Sequence, residues 1–215
     1  MTMVALAPLD LAALLCSRVC HDVISPVGAI VNGLEVLEDE KDGEMREVAL
    51  ELIKKSAASA SARLQFCRLA FGAAGSLGAS IDTGDAESVT RGLIVNDRTS
   101  LAWNPARQFA PKNKVKLLLN LCLIALATIP RGGTVTVDLS GQDDKLAMKV
   151  QTKGANARLA SGVADLVAGR PENGAVDAHG IQPYFAGLVA RECAMEVAIT
   201  VEPDSVIFEA RPTAA

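Results

Sequence analysis

Aromatic residues are scarce, at 3% of the chain, with one tryptophan, one tyrosine and five phenylalanines. A core built almost without them is aliphatic and alanine-rich, since the AVILMFWYC group reaches 50%. That composition suits packed helices better than a β-sandwich. A basic excess is also missing. Lys and Arg number 21 against 25 Asp and Glu, a net charge of −4, with a pI near 5.3. No nucleic-acid partner is expected without a basic field. The first positive charge is Arg18, so the basic n-region of a secretory signal is absent. The longest strongly apolar uncharged run, Leu117 to Pro130, falls short of the roughly 20 residues that span a bilayer. No membrane association is expected. Cysteines are five, an odd number, and read as reduced thiols of a cytoplasmic protein rather than disulfides. Cys16, Cys20 and His21 hint at a metal site, but no nearby cysteine pair or second histidine completes it. No metal and no bound cofactor are expected for this chain.

What is present, over 215 residues, suffices for one large domain or two small ones with a real core. From Leu9 to about Leu37 the apolar positions Cys16, Cys20, Val23, Val27, Ile30, Leu34 and Leu37 alternate by four and three, the heptad seam of a long helix. Glu38 to Gly43 reads as a solvated turn ending in a helix breaker. A second helix follows, with Met45, Val48, Ala49, Leu52, Ile53, Leu64, Cys67 and Phe71 assigned to one face. Its stretch from Ser56 to Ala62 contains serine and alanine alone, which permits close helix approach; glycines at 72, 75 and 78 end it. Arms of this kind reach about 45 Å, and a two-helix hairpin cannot cover its own apolar seam. The expectation is a homodimer joined through a four-helix bundle.

Beyond about residue 76 the pattern changes. Short helices are expected at Ser88–Val95, Ala157–Val167 and Pro183–Ala194, and a strongly apolar one from Pro111 to Ile129. Strands are expected at Leu101–Trp103, Thr134–Leu139, Leu146–Val150, Glu196–Val201 and Val206–Ala210. The fold class is therefore α+β: a long helical hairpin over residues 1–76 and an α/β sandwich over residues 77–215.

Only two histidines occur, so each can be weighed. His21 lies one residue past the seam, which turns it toward solvent. Residues three and four apart share a helix surface, so Arg18, His21 and Ser25 are expected to form one exposed polar patch. Pro26 sits inside the helix, removes a hydrogen bond and is expected to bend it near His21. A costly local choice beside an exposed histidine marks function. His179, in Asp177-Ala-His179-Gly180, reads as a loop residue before a helix and is the competing candidate.

The segment His21-Asp-Val-Ile-Ser-Pro26 resembles the H box of two-component histidine kinases. Leu117-Leu-Leu-Asn120-Leu-Cys-Leu-Ile124 is similar to their N box, but Ile124 stands where the second asparagine would hold metal and nucleotide. At the glycine boxes, Thr152 replaces the adenine-reading aspartate and Asn156 the second glycine, while Gln182 and Pro183 replace the tight turn after Gly180. A kinase-like chain that keeps its histidine and loses its nucleotide ligands resembles the dimeric histidine phosphotransferases of alphaproteobacterial cell-cycle phosphorelays, the ChpT type. Its Phe71-Gly-Ala-Ala and Pro111-Lys-Asn-Lys-Val-Lys segments are similar to that group.

That resemblance implies a degenerate histidine-kinase ATPase-like α/β sandwich and phosphate transfer from the receiver domain of a hybrid kinase to His21. The phosphate then passes to receiver-domain response regulators. A neutral imidazole attacks an acyl phosphate, and the reaction needs little beyond positioning and charge stabilisation. Mg²⁺ is expected in the partner receiver domain. Asp22 either orients the imidazole or is a solvated carboxylate. Arg18 meets phosphate or an acidic receiver, or is simply solvated. Ser25 occupies the place where bifunctional kinases position a hydrolytic water. Lys153 and Arg158, flanking the altered nucleotide box, either contact the receiver or belong to a solvated loop. Two other readings stand beside this one: an active kinase with an unusual ATP site, and a dimeric scaffold that never carries phosphate.

Overall fold

The computed structural model describes residues 3–39, 42–72 and 80–213. The expected domain boundary near residue 76, the glycines at 75 and 78 and the last two residues of the Phe71-Gly-Ala-Ala segment lie outside the described residues. Helices α1 (Pro8–Asp39) and α2 (Gly43–Ala70) pack as the long hairpin. Gly43 opens α2 rather than breaking a helix, because the Asp42 carboxylate accepts the Glu44 N–H at 3.0 Å and caps the first turn. Close approach of the arms rests on small residues. A Cβ on Gly33 would lie 2.7 Å from Ile53 Cγ1, and Ala49, Ser56 and Ala60 are buried opposite. Pro26 is buried within a helix that continues unbroken past it.

The apolar positions of each arm divide into two stripes. Val23, Ile30 and Leu37 are half-buried against α2, whereas Val27 and Leu34 are exposed together with Ile24 and Val31. On α2, Ala49, Ile53 and Cys67 turn inward, while Met45, Val48, Leu52 and Leu64 face out. The single faces read from the sequence are thus two faces each, since adjacent apolar pairs such as Val48–Ala49 and Leu52–Ile53 widen the stripe beyond one contact line. Cys16 and Cys20 are exposed, and all five cysteines are free. By length and composition α1 is long and apolar enough to cross a membrane, with an 18-residue window of mean hydropathy 1.4. Its apolarity is spread between scattered charges, so it does not show as an uncharged run in the sequence.

In the α/β domain a five-stranded sheet runs β2 (Thr99–Trp103), β4 (Gly133–Ser140), β5 (Ala147–Lys153), β7 (Ser205–Pro212), β6 (Met195–Glu202). The β2–β4 pair is parallel and the others are antiparallel. A separate antiparallel ladder of β1 (Ser80–Asp82) and β3 (Phe109–Pro111) was not expected, as three-residue strands carry no periodicity. Helix α3 (Thr83–Ile94) begins five residues before its predicted start because the Asp82 side chain accepts the Gly84 N–H at 2.8 Å. The helix expected at 157–167 shrinks to α5 (Val163–Val167). Gly162 sits at φ 78°, and the Arg158 N–H is drawn to the Thr128 carbonyl at 2.9 Å. Helices α4 (Lys112–Ala127) and α6 (Ile181–Glu192) pack on each other and complete the main core. A smaller cluster, in which Phe66 and Ala70 of α2 meet Ala86, Val115 and Leu119, joins the hairpin to this domain.

Candidate functional site

His21 projects from the first half of α1 with 76% of its side chain exposed. Its Nδ1 lies 3.7 Å from Asp22 Oδ1, too long for a direct hydrogen bond and close enough for an electrostatic contact. Asp22 is not a solvated carboxylate. Its side chain is 17% exposed and pairs with Arg18 Nε at 3.2 Å across one helical turn. Arg18 in turn departs from the expected outward patch. It is half-buried, its Nε lacks an aligned hydrogen bond, and it lines a cleft of about 470 Å³ in which α4, α5 and α6 also take part. Ser25 is exposed near His21. Behind Asp22, burial pushes the Cys67 thiol up to about 11, with Asp22 adding to the rise.

The positions read as altered nucleotide ligands lie in or beside this cleft. Ile124 lines it and is 5% exposed. The Thr152 hydroxyl is fully buried and committed, 2.7 Å from the Thr128 hydroxyl and 3.2 Å from the Val206 carbonyl, to which it donates. Gln182 Nε2 donates to Asn120 Oδ1 at 2.6 Å. Asn120 Nδ2 donates to the carbonyls of Lys116 at 2.8 Å and Ala70 at 3.2 Å. The polar groups that remain are thus largely paired with one another, Gln182 Oε1 being a buried exception, and Glu172 and Asp177 add negative charge to the rim.

His179 lines the same cleft from its loop. Asp177 Oδ1 accepts the N–H groups of His179 and Gly180 at 3.0 and 2.7 Å, which is a turn-and-cap arrangement before α6. Lys153, at the end of β5, and Arg158, in the loop after it, are exposed. They stand at one end of the sheet, where Thr134 pairs with Lys153 and the Arg158 amide meets Thr128. Two features escaped the sequence. Asn120 and Gln182 pair across 62 positions, and the buried Tyr184 hydroxyl donates to the Val4 carbonyl at 2.9 Å. A buried glutamine and tyrosine opening an otherwise apolar helix was the available signal.

Comparison with known proteins places this arrangement. Residues 83–205 match the family model described as histidine phosphotransferase C-terminal domain. The chain is 49% identical over 207 residues to the protein phosphotransferase ChpT of Brucella abortus (strain 2308), covering 96% of this chain and 98% of that one. Among solved structures, a bacterial phosphotransferase determined at 1.7 Å is similar with a TM-score of 0.89 and 46% identity, over 98% of this chain and all of the other.

Proposed function

The chain belongs to the histidine phosphotransferase family, and we propose that within it His21 is the residue that carries the phosphate. The reading is of a relay intermediate: phosphate arrives from the receiver domain of a hybrid kinase and leaves to the receiver domains of response regulators in cell-cycle control. The observation that carries it is the exposed His21 imidazole beside an inward-held Asp22, in a His-Asp-x-Ile-Ser-Pro segment on an unbroken helix.

In the forward step Nε2 of His21 attacks the phosphorus of the receiver's aspartyl phosphate. A P–N bond forms, and the P–O bond to the carboxylate breaks, returning its electron pair to that oxygen. Asp22 stabilises the Nδ1–H of the ring as positive charge develops, and Arg18 holds Asp22 in place. Transfer onward is the reverse, onto a second receiver's carboxylate. Mg²⁺ belongs to the receiver, so this chain needs no metal ligands of its own. Ser25, Lys153 and Arg158 are proposed as receiver contacts. The exposed stripes of α1 and α2 support a homodimer through a four-helix bundle, and the five free thiols fit a reducing cytoplasm.

ATP is proposed to have no role as direct phosphodonor. Incubation with radiolabelled Mg-ATP alone leaves the protein unlabelled, and incubation with a phosphorylated receiver labels it within the assay. Titration calorimetry with Mg-ATP gives no binding heat. Self-labelling from ATP, or a micromolar dissociation constant, contradicts this reading and favours an atypical kinase.

A further inference from the structure

The hairpin and the α/β domain are tied together at the open end of the hairpin, where α1 begins and α2 finishes, and α6 takes part in both ties. At the end of α2 the Ala70 carbonyl belongs to the last turn, where a helix has no amide left to satisfy it. Asn120 Nδ2 supplies the donor at 3.2 Å. Asn120 is fully buried, and its Oδ1 is held by Gln182 Nε2 from the first turn of α6 at 2.6 Å. At the start of α1 the short segment before the helix lies against the same helix. The Tyr184 hydroxyl, 1% exposed as a residue, donates to the Val4 carbonyl at 2.9 Å and accepts the Leu6 N–H at 3.3 Å. The Val4 N–H donates to the Gly169 carbonyl at 2.9 Å. Gln182 and Tyr184 are two residues apart, so one turn of α6 grips both arms of the hairpin at its open end.

A domain that delivers phosphate from its own nucleotide must swing toward the histidine it serves. Here that swing would strip partners from buried amides, a carbonyl and a phenol, each costly to leave unpaired. We propose that Asn120 and Gln182, which stand at positions read from the sequence as remnants of nucleotide boxes, have become a rigid joint with Tyr184. The joint fixes the α/β domain against the His21 hairpin, so that the two present one continuous platform to a receiver. Asn120, Gln182 and Tyr184 are positioning residues: they touch neither the imidazole nor the phosphoryl group. A receiver that meets two fixed surfaces binds the second at high effective concentration, and a loose joint forfeits that gain without altering the chemistry at His21. The platform rests on the proposed receiver partnership; the rigidity does not.

The test pairs a distance with a rate. Spin labels at Ala57→Cys on α2 and Thr200→Cys on β6, both exposed positions, are placed in a Cys16→Ser, Cys20→Ser background. Labelled chains are diluted into unlabelled ones so that distances are read within one protomer. The joint predicts a single narrow distance that Mg-ATP leaves unchanged. Tyr184→Phe, which keeps the ring packed, and Gln182→Leu, which keeps the volume, both broaden that distribution. Each also raises the KM for a phosphorylated receiver about tenfold or more, with kcat within twofold of the wild type. A broad or multiple distance in the wild type overturns the joint. So does retention of the narrow distance and the KM in both variants. A fall in kcat at unchanged KM assigns these residues to the chemistry and overturns the positioning role. A wild type that accepts no phosphate yet keeps its narrow distance overturns the platform and retains the joint.

Discussion

His21 and Asp22 are neighbours in sequence that turn to opposite environments, one 76% and the other 17% exposed by side chain. The exposure of His21 was legible from its place beside the apolar seam. The inward turn of Arg18 was not, because a helical wheel places Arg18 on the His21 face and carries no information about the cleft that receives its guanidinium. Burial has a separate consequence for the thiols. It pushes Cys67 and Cys193 up to about 11 and Cys122 to about 12, from an ordinary 9.0. A group raised in the folded state adds stability that is fully present below its unfolded value and lost as pH climbs through the folded one. Stability is therefore predicted to fall between pH 9 and 12. For the fully buried Cys122 the loss amounts to about 2 kcal/mol near pH 10.5. Urea melts across that range check it, and Cys122→Ala, though less stable at pH 7, has the shallower alkaline slope. An equal slope contradicts the assignment.

Among the elements, α1, α2, α4 and the strands β4 to β7 were readable from periodicity alone, because each is long enough to show it. The parts that escaped are short or set by single contacts. The ladder of β1 and β3 is three residues per strand, α5 is cut back by the left-handed Gly162, and the start of α3 is set by the cap from Asp82. Packing between α5 and α6 leaves no room at Gly187, where a Cβ would lie 1.9 Å from the Val167 carbonyl. Gly187→Ala is predicted to cost about 1–3 kcal/mol by displacing backbone. On α3 the exposed Gly92 would place a Cβ at an ordinary 3.7 Å from Ala62. Gly92→Ala is predicted to gain up to about 1 kcal/mol from helix propensity. Chemical denaturation of the two variants tests both signs, and matching signs contradict the packing account.

The molecule as a whole exposes many large apolar side chains along the hairpin: Ile24, Val27, Val31 and Leu34 on α1 with Met45, Val48 and Leu52 on α2. The same surface explains why α1 has the hydropathy of a membrane span. We propose that a second copy covers it, and light scattering is predicted to return twice the 22.4 kDa chain mass. Val31→Asp, which sits on the outer stripe and leaves the hairpin's own packing intact, is predicted to yield folded monomers by stranding a charge in the bundle core. A wild type that is monomeric at micromolar concentration contradicts the bundle. The central claim, however, is that phosphate resides on His21. The direct measurement is transfer from a phosphorylated receiver to wild type, His21→Ala and His179→Ala, each first shown to be folded by circular dichroism. Surface substitutions of this kind cost within about 0.5 kcal/mol, so lost labelling reports chemistry rather than unfolding. The account predicts acid-labile, alkali-stable label on the wild type and on His179→Ala, and none on His21→Ala. Label retained by His21→Ala and lost by His179→Ala would contradict it.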